Sequence, residues 1–532
     1  MRKKKQNRSS PQASGYSDAG ASLVKRAIRG FRAVSLSPLM DIDMNNMTLR
    51  QRSRMLYMAA PVATSAIDTN RTKVVGVGLT MQASPDIDVL GMTPDTATSW
   101  RKKTEMEFRL WANKKQNCDA LGLSNFPELQ QLALVSWLMS GDVFALIKRY
   151  DPTPLNPYSL RIHLIEADRI STPDSVRTGS YLIGATEGKA DNGNLIHDGV
   201  EVDENGRVVA YYICNTYPFE ILTDKEVKWT RVPAYGEKTG LPNILHIMNA
   251  ERPDQYRGVP YLAKVIEPLL QIRRYTESEL MAALVQSFFT AWIETITNPA
   301  EIPFNEVGAG DVAPIPGENP ETNMSASANE YEMGPGTVNV LSENEKVVFG
   351  NPNIPTAGFD NFLKAVCRLV GSALGIPYEV LLKEFNSSYS ASRAALLEAW
   401  ENFKMYRQWF VDDFCQPIYE IWLAEAVARG RIQAPGFFVD PLIREAWCAA
   451  RWIGPVQGQI DPVKDSGAAL LQISQGIKTR AQITREMGGG DWDENVAQLK
   501  RENELLREAG VIPVQQTQPT QQTQGGNDDG QD

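Results

Sequence analysis

The stretch 251–289, ERPDQYRGVPYLAKVIEPLLQIRRYTESELMAALVQSFF, separates two textures of the chain. From Pro260 onward the apolar residues Leu262, Val265, Ile266, Leu269, Ile272, Tyr275, Leu280, Leu284 and Phe288 recur at the three-and-four spacing of a helix, up to Trp292. Pro268 either kinks this run or starts a new helix, because it lacks a backbone donor and crowds the preceding turn. A helix from Pro268 to Trp292 would be about 37 Å long.

Residues 150–250, on the other side of Pro260, are rich in short strands and turns: LRIHLIEADRI, GNLIHDGVEVDENGRVVAYYIC and ILHIMN. Glu204-Asn205-Gly206, between two alternating runs, is a hairpin signal, since Asn-Gly readily takes the positive φ of a tight turn. Further upstream, Met40 to Met58 suits a helix around Arg50, Arg52 and Arg54, and Ala63, Ile67 and Asn70 continue helical spacing after Pro61. Val74 to Met81 reads as a strand bent at Gly76 and Gly78, Pro127 to Leu138 as a helix, and Val143 to Ile147 as a strand. Gly76-x-Gly78 lacks a third glycine and a following helix, so it is too weak for a dinucleotide or phosphate site.

Residues 296–336 are loop-like and rich in proline, closed by the strand-like Thr337 to Leu341 and Lys346 to Phe349. So long a stretch is a projecting module or a disordered insertion. Phe359, Phe362, Leu363, Val366, Leu369, Val370 and Ala373 then line one helical face, with Asp360, Lys364 and Arg368 on another. Gly375 and Pro377 end that helix, a polar loop follows, and Ser392 can cap a helical run to Ala428 interrupted at Pro417. The stripe Ala394, Leu397, Trp400, Phe403, Tyr406, Phe410 and Phe414 reads as core. Thr479-x-x-Gln482 fits a capping box, Gly488 to Gly490 form a joint, and Asp491 to Glu508 form a charged helix stopped by Gly510.

Charge is unevenly spread over the 532 residues, whose formal net charge is −10. Residues 1–32 carry +8, residues 513–532 carry −3, and the body between them carries −15. An acidic body opposes stable groove binding to DNA, which depends on clustered Lys and Arg, and it does not exclude a surface past which DNA slides. The basic arm reads as a solvated tail with the capacity to bind nucleic acid. The expectation is neither a secreted nor a membrane-spanning chain, since no apolar run reaches the ~18 residues a span needs. Five scattered cysteines, without a CxxC pair, are expected to be reduced and mostly buried.

The tools of an enzyme are sparse. There is no GxxxxGK[ST] loop, HExxH helix or GxSxG elbow. His163, His197 and His246 lie far apart and read as structural, and the pairs Asp41/Asp43, Asp86/Asp88 and Asp491/Asp493 read as turns or caps. No catalytic residue, metal site or cofactor is expected.

Five blocks carry a resemblance: RMLYMAAPVATSAIDTNRTKVVGVGLTMQ, GDVFALI, HLIEADRI, the stretch from Glu251 quoted above, and SYSASRAALLEAWENFKMYRQWF. In this order, over roughly residues 50–430, they resemble the lambda-type tailed-bacteriophage portal proteins, most specifically through RPDQYRGVPYL and SYSASRAALLE. The resemblance implies an α+β portal-protein fold assembled as a ring, usually of twelve subunits, at one capsid vertex, which serves as the channel for DNA packaging and ejection. Its implied partners are the ring's own subunits, the terminase large subunit, a head-tail adaptor, a major capsid or scaffold protein, and double-stranded DNA passing without sequence specificity. The implied location is the virion, after assembly in the host bacterial cytoplasm. No membrane partner is implied.

Mapped by order, residues 1–39 would be a basic disordered arm, 40–258 a β-rich wing, 259–292 the first stem helix, 293–350 the clip and 351–375 the second stem helix. Residues 376–391 would be a tunnel loop, 392–459 a long kinked helix with the wing's return, 460–512 a helical crown and 513–532 a disordered tail. Lys364 and Arg368 would then face the channel from the second stem helix, and Lys383, Asn386, Ser387 and Ser388 from the tunnel loop. The competing readings are a phage nuclease or protease with a dispersed active site, and a basic-armed DNA-binding minor capsid protein. A large closed oligomer would separate the portal reading from both.

Overall fold

The computed structural model describes residues 21, 25–26, 34–177, 187–218, 220, 226–288, 292–295, 345–348, 358–385, 388–458, 462–488 and 490–509. After a π-helical turn at Leu39–Asp43 come α1 (Met44–Ala59), α2 (Pro61–Asn70), β1 (Thr80–Ala83), α3 (Ile87–Leu90), α4 (Pro94–Ala112), α5 (Lys115–Cys118) and α6 (Phe126–Ser140). A strand-rich stretch holds β2 (Asp142–Arg149), β3 (Leu160–Glu166), β4 (Glu187–Lys189), β5 (Leu195–His197), β6 (Val200–Val202), β7 (Val208–Cys214), β8 (Trp229–Pro233) and β9 (Ile244–Met248). There follow α7 (Ile266–Phe288), β10 (Trp292–Thr295), β11 (Glu345–Val348), α8 (Phe359–Leu374), α9 (Tyr378–Leu382) and α10 (Tyr389–Phe410). The chain closes with α11 (Gln416–Ala428), α12 (Pro441–Cys448), β12 (Ala450–Ile453), α13 (Pro462–Ser474), α14 (Arg480–Gly488) and α15 (Trp492–Glu508). The fold is α+β.

The chain forms two units, the first comprising residues 1–51, 140–147 and 164–260. Its five-stranded antiparallel sheet runs in the order β4-β5-β6-β7-β8, a meander that short turns permit. Gly206, at φ +79°, closes the expected hairpin, and the Asp203 carboxylate accepts from the Asn205 and Arg207 backbone N–H groups at 2.9 Å each. Separately, β2 pairs antiparallel with β9 from Asp142↔Met248 to Leu146↔Ile244. Phe144, Ile170, Val200, Tyr211, Ile213 and Ile244 fill the core of this unit. Glu201 is buried beside it, and although burial opposes its ionisation, hydrogen bonds from Arg231, Asn192 and Asn194 hold its pKa down to about 2.

The second unit comprises residues 52–139, 148–163 and 261–532. β1 pairs antiparallel with β12, and an aromatic cluster of Phe108, Trp111, Phe126, Phe414, Tyr419 and Trp422 forms its centre, with Phe108 edge-on to Trp422 at 5.0 Å. Such edge-to-face contacts add to the burial of large rings. The stripe on α10 packs as core through Trp400, Phe403 and Phe410, whereas Leu397 is 47% exposed. All five cysteines are buried thiols. The Thr479/Gln482 capping box forms reciprocally at 3.2 and 2.9 Å, and Asp86 and Asp491 cap α3 and α15.

Several expectations are corrected. Val74 and Val75 are not strand but the fully buried end of a π-helical turn, Arg71–Val75, that prolongs α2. Gly76 at φ +60° ends it, and the strand begins only at Thr80. Pro268 lies in the first turn of α7, in line with the reading that it starts a new helix, since its missing donor costs nothing there, but the helix stops at Phe288, so Trp292 opens β10 instead. Ser388, not Ser392, is the N-cap position of α10, one turn earlier than expected. The break ascribed to Pro417 takes the form of a π-helical turn, Val411–Cys415, just before the residue that cannot donate. Residues 376–391 are not loop throughout, since Val380 and Leu381 are buried in α9. Asp43 is buried within the first unit rather than turning or capping a chain end. Residues 296–344, which hold Thr337 to Leu341 and most of the expected clip, lie outside the described residues, as do 513–532 and nearly all of 1–33.

Two glycines meet where α6 hands over to β2. A Cβ on Gly258 would stand 1.9 Å from the Gly141 carbonyl oxygen, and Gly141 itself has φ +92°. Neither backbone can withdraw without breaking β2. Gly258→Ala is therefore expected to lower unfolding stability in urea by at least about 2 kcal/mol. Gly458→Ala, whose Cβ meets nothing within 4 Å, should change it by no more than about 0.5 kcal/mol. Equal midpoints for the two variants would show that the close approach carries no constraint.

Candidate functional site: a buried arginine hub and the channel residues

Arg257 sits at the end of the quoted RPDQYRG block, and its side chain has no solvent exposure. A guanidinium in that position needs acceptors for all its donors. Nε donates to Asp142 Oδ2 at 2.7 Å and Nη2 to Asp142 Oδ1 at 3.3 Å, a two-pronged pairing. Nη2 also donates to the Ala167 carbonyl at 2.8 Å, and Nη1 to the Ile170 carbonyl at 3.0 Å and to Asp198 Oδ2 at 2.7 Å. Asp142 further accepts from the Gly258 N–H at 3.1 Å. Three of the five blocks, GDVFALI, HLIEADRI and RPDQYRGVPYL, thus converge on one side chain.

Arg50 joins from α1. Its Nη1 lies 3.3 Å from Asp198 and 3.9 Å from Asp168, its Nη2 lies 3.6 Å from Asp142, and its Nε donates to the Ser140 carbonyl at 3.2 Å. Burial opposes ionisation of Asp142, but Arg257 and Arg50 outweigh it and hold its carboxyl well below the usual range. Asp43 behaves in the opposite way. Burial, then the Asp198 charge, pushes its pKa up to about 7, against the opposing pull of Arg257 and Arg50. The two guanidiniums are already matched by Asp142 and Asp198, so a further buried negative charge is disfavoured. His246 stacks on Phe144 at 4.2 Å, 3.3 Å from Asp142, and burial lowers its pKa despite that neighbour. Among the described residues no group of three or more His, Cys, Asp or Glu is placed to hold a metal ion, and no helix is long and apolar enough to cross a membrane.

The residues expected at a DNA channel lie in the second unit. On α8, Cys367, Val370, Gly371 and Leu374 are buried. A Cβ on Gly371 would stand 2.4 Å from the Ile376 carbonyl oxygen, so the chain folds back directly over the end of α8. Gly375, at φ +66°, makes the reversal, and Asn402 donates to its carbonyl at 3.1 Å. Lys364 Nζ lies 2.9 Å from both Asp360 and Glu384, and these two hydrogen-bonded carboxylates raise its pKa. Its ammonium is thereby a tether between α8 and the segment after α9. Arg368 stacks over the Tyr378 ring at 4.7 Å. Lys383 takes the left-handed conformation, φ +56°, and the following Glu384 N–H donates to the Glu379 carbonyl at 2.9 Å. Ser388 is exposed at the start of α10. Asn386 and Ser387 lie outside the described residues.

Residues 25–407 match the family model described as phage portal protein, lambda family. The chain belongs to that family. It is 23% identical over 459 residues to portal protein B of Escherichia phage lambda, covering 85% of this chain and 82% of that one. It is 22% identical over 459 residues to the portal protein of Escherichia phage N15, covering 85% and 83%. A chain in the neck of a native GTA particle computed with C12 symmetry aligns over 83% of this chain and 92% of its own, at 13% identity and a TM-score of 0.39. Membership gives the chain the family's general role, a channel through which viral DNA is packaged and ejected. The Arg257 hub, α8 and almost all of α10 fall inside the matched residues, whereas α11 to α15 lie beyond them.

The sequence reading missed the hub. Arg50 shares an arginine-rich patch with Arg52 and Arg54 in sequence, yet Arg50 is 3% exposed while Arg52 is exposed. A signal was present: Asn46, Arg50 and Ser53, at i, i+4 and i+7, are polar residues on one helical face, and all are buried. Asp43 supplies a pH test. Its folded pKa, about 7, is above its ordinary 3.8, so the stability it contributes is complete below about pH 4 and is lost as pH rises through 7. Asp43→Asn removes that loss. Relative to the parent, the variant's urea midpoint should rise progressively between about pH 4 and pH 7 and level off above that; parallel pH profiles for parent and variant would show that Asp43 does not hold the proton.

Proposed function

We propose that the chain assembles into a closed ring, of twelve subunits, at one capsid vertex, where it passes double-stranded DNA and docks the terminase large subunit, a head-tail adaptor and a capsid or scaffold protein. The observation that carries this reading is the family match over residues 25–407. The second unit supports it in two ways. First, α7 leads into β10, β11 leads into α8, and β10 and β11 pair antiparallel from Trp292↔Val348 to Thr295↔Glu345, so the intervening segment leaves and returns through one two-stranded neck. That is the order of first stem, clip and second stem, with α7 and α8 touching through Tyr275 and Phe362 at 5.0 Å. Second, Leu280, Met281 and Leu284 on α7 and Phe362 and Leu369 on α8 are exposed by between 49% and 70%. In a ring with a head-to-tail contact, neighbouring stems cover such positions.

Within this reading residues 293–350 form the clip that docks terminase, 376–391 form the tunnel loop, and α13 to α15 form the crown. Arg368, Lys383 and Ser388, with Asn386 and Ser387, face the DNA, and Lys364 acts by tethering the loop to α8. Native mass measurement and negative-stain imaging of the purified chain test the assembly. A closed particle near twelve times the 59.1 kDa of one chain is expected; a monomer or dimer would contradict it. Deleting 305–330 should leave rings that fail to recruit terminase, and removing Asn386 to Ser388 should leave assembly and docking intact while impairing packaging or retention of DNA. Normal recruitment by the first variant removes the clip assignment, and parental packaging by the second removes the tunnel loop.

A further inference from the structure

The second unit holds a cavity of about 700 Å³ that the ring reading does not use. Its walls come from α10, from β12 and the segment leaving it to Gly458, from α13, and from α14 with the residues preceding it. Six basic side chains line it, Arg393, Lys404, Arg407, Arg451, Lys478 and Arg485, against two acidic ones, Asp465 and Glu486. Four of the six are committed. Arg393 pairs with Asp465 at 2.8 Å, Lys404 with Glu401 at 2.8 Å, and Lys478 with Glu486. Arg407 donates to the Lys73, Val74 and Pro455 carbonyls at 2.7 to 2.8 Å. No carboxylate meets its charge among the described residues, and burial lowers its pKa to about 10.

Arg451 and Arg485 have no carboxylate within ion-pair distance among the described residues. Burial first, and then the Arg451 charge, lowers the pKa of Arg485, with Asp491 and Glu486 opposing. Arg485 is half-buried and Arg451 exposed at the cavity wall, and two cations facing one cavity are better accommodated when a counter-charge occupies it. The cavity also presents apolar surface from Leu397, Ile453 and Ile483, which weakens screening of whatever charge sits there.

We propose that this cavity binds a phosphate-type oxyanion, with Arg451 and Arg485 as its ligands and the fixed charge of Arg407 behind them. Guanidinium forks match the several oxygens of a phosphate group, and two of them from different elements bracket it. The group is the same whether it arrives as free phosphate or as part of a DNA backbone, so the test separates the two. The site stands independently of the ring, because every wall belongs to one chain.

The full-length protein is titrated calorimetrically with inorganic phosphate and, separately, by fluorescence anisotropy with a short DNA duplex at low salt. Arg451→Ala with Arg485→Ala should weaken phosphate binding by roughly tenfold or more, while Lys500→Ala on α15 leaves it unchanged. Because neither guanidinium holds backbone, the double variant should melt no lower than the parent in phosphate-free buffer and should lose the rise in melting temperature that phosphate gives the parent. A parallel loss of duplex affinity assigns the group to DNA, and unchanged duplex affinity assigns it to free phosphate. Failure of the parent to bind phosphate, or equal affinity in parent and double variant, overturns the site. Should the double variant fail to fold, Arg485→Gln alone, read by the same phosphate-induced shift, decides the matter.

Discussion

A guanidinium without solvent fixes the geometry of the first unit. Arg257 can be tolerated there only if its donors all find acceptors, and the chain supplies them from three separate places: the Asp142 carboxylate at the start of β2, the carbonyls of Ala167 and Ile170 after β3, and Asp198 before β6. Each acceptor has to arrive within about 3 Å, which locks those segments to one another. The close backbone approach of Gly141 and Gly258 follows from the same demand, since Asp142 and Arg257 are their immediate neighbours. Removing one partner of such a pair leaves the other charged and buried, and that costs far more than losing both.

The same logic accounts for Asp43. Burial first, and then the Asp198 charge, raises the pKa of Asp43 well above the usual range, since two cations already matched by two carboxylates offset it only in part, whereas Arg257 and Arg50 hold that of Asp142 well below it. In the second unit the balance is struck differently. Arg407 is held by carbonyls alone, and Arg451 and Arg485 face a cavity without carboxylates of their own. Among its described residues an acidic body thus contains a locally positive recess. A channel lined with little net positive charge lets DNA pass, and a recess of concentrated positive charge retains anions.

Much of the fold was legible because it is local. The Asn205-Gly206 hairpin, the Thr479/Gln482 box, the stop at Gly375 and the helical stripes of α8 and α10 depend on residues a few positions apart. What escaped depends on distance or on small departures from α-helical geometry. Val74 and Val75 have the composition of a strand, but their burial in a π-helical turn is decided by neighbours far along the chain. Trp292 continues the helical spacing of α7 and yet enters β10, because pairing with β11 wins over local pattern. Arg257 gave no local sign of its environment: the resemblance marked its block as specific without saying why. The resemblance places Lys364 facing the channel, and only the fold brings Glu384 to it.

The account turns on the coupling of Arg257 to Asp142, and a double-mutant cycle measures it. Arg257→Met, Asp142→Leu and the combined variant are unfolded in urea beside the parent. Each single change leaves an unmatched buried charge and should cost about 3 to 5 kcal/mol, while the pair together should cost clearly less than the two summed, giving a coupling energy of at least about 2 kcal/mol. Additive effects, within about 0.5 kcal/mol, would mean that the two side chains are merely neighbours and that the first unit does not depend on their contact.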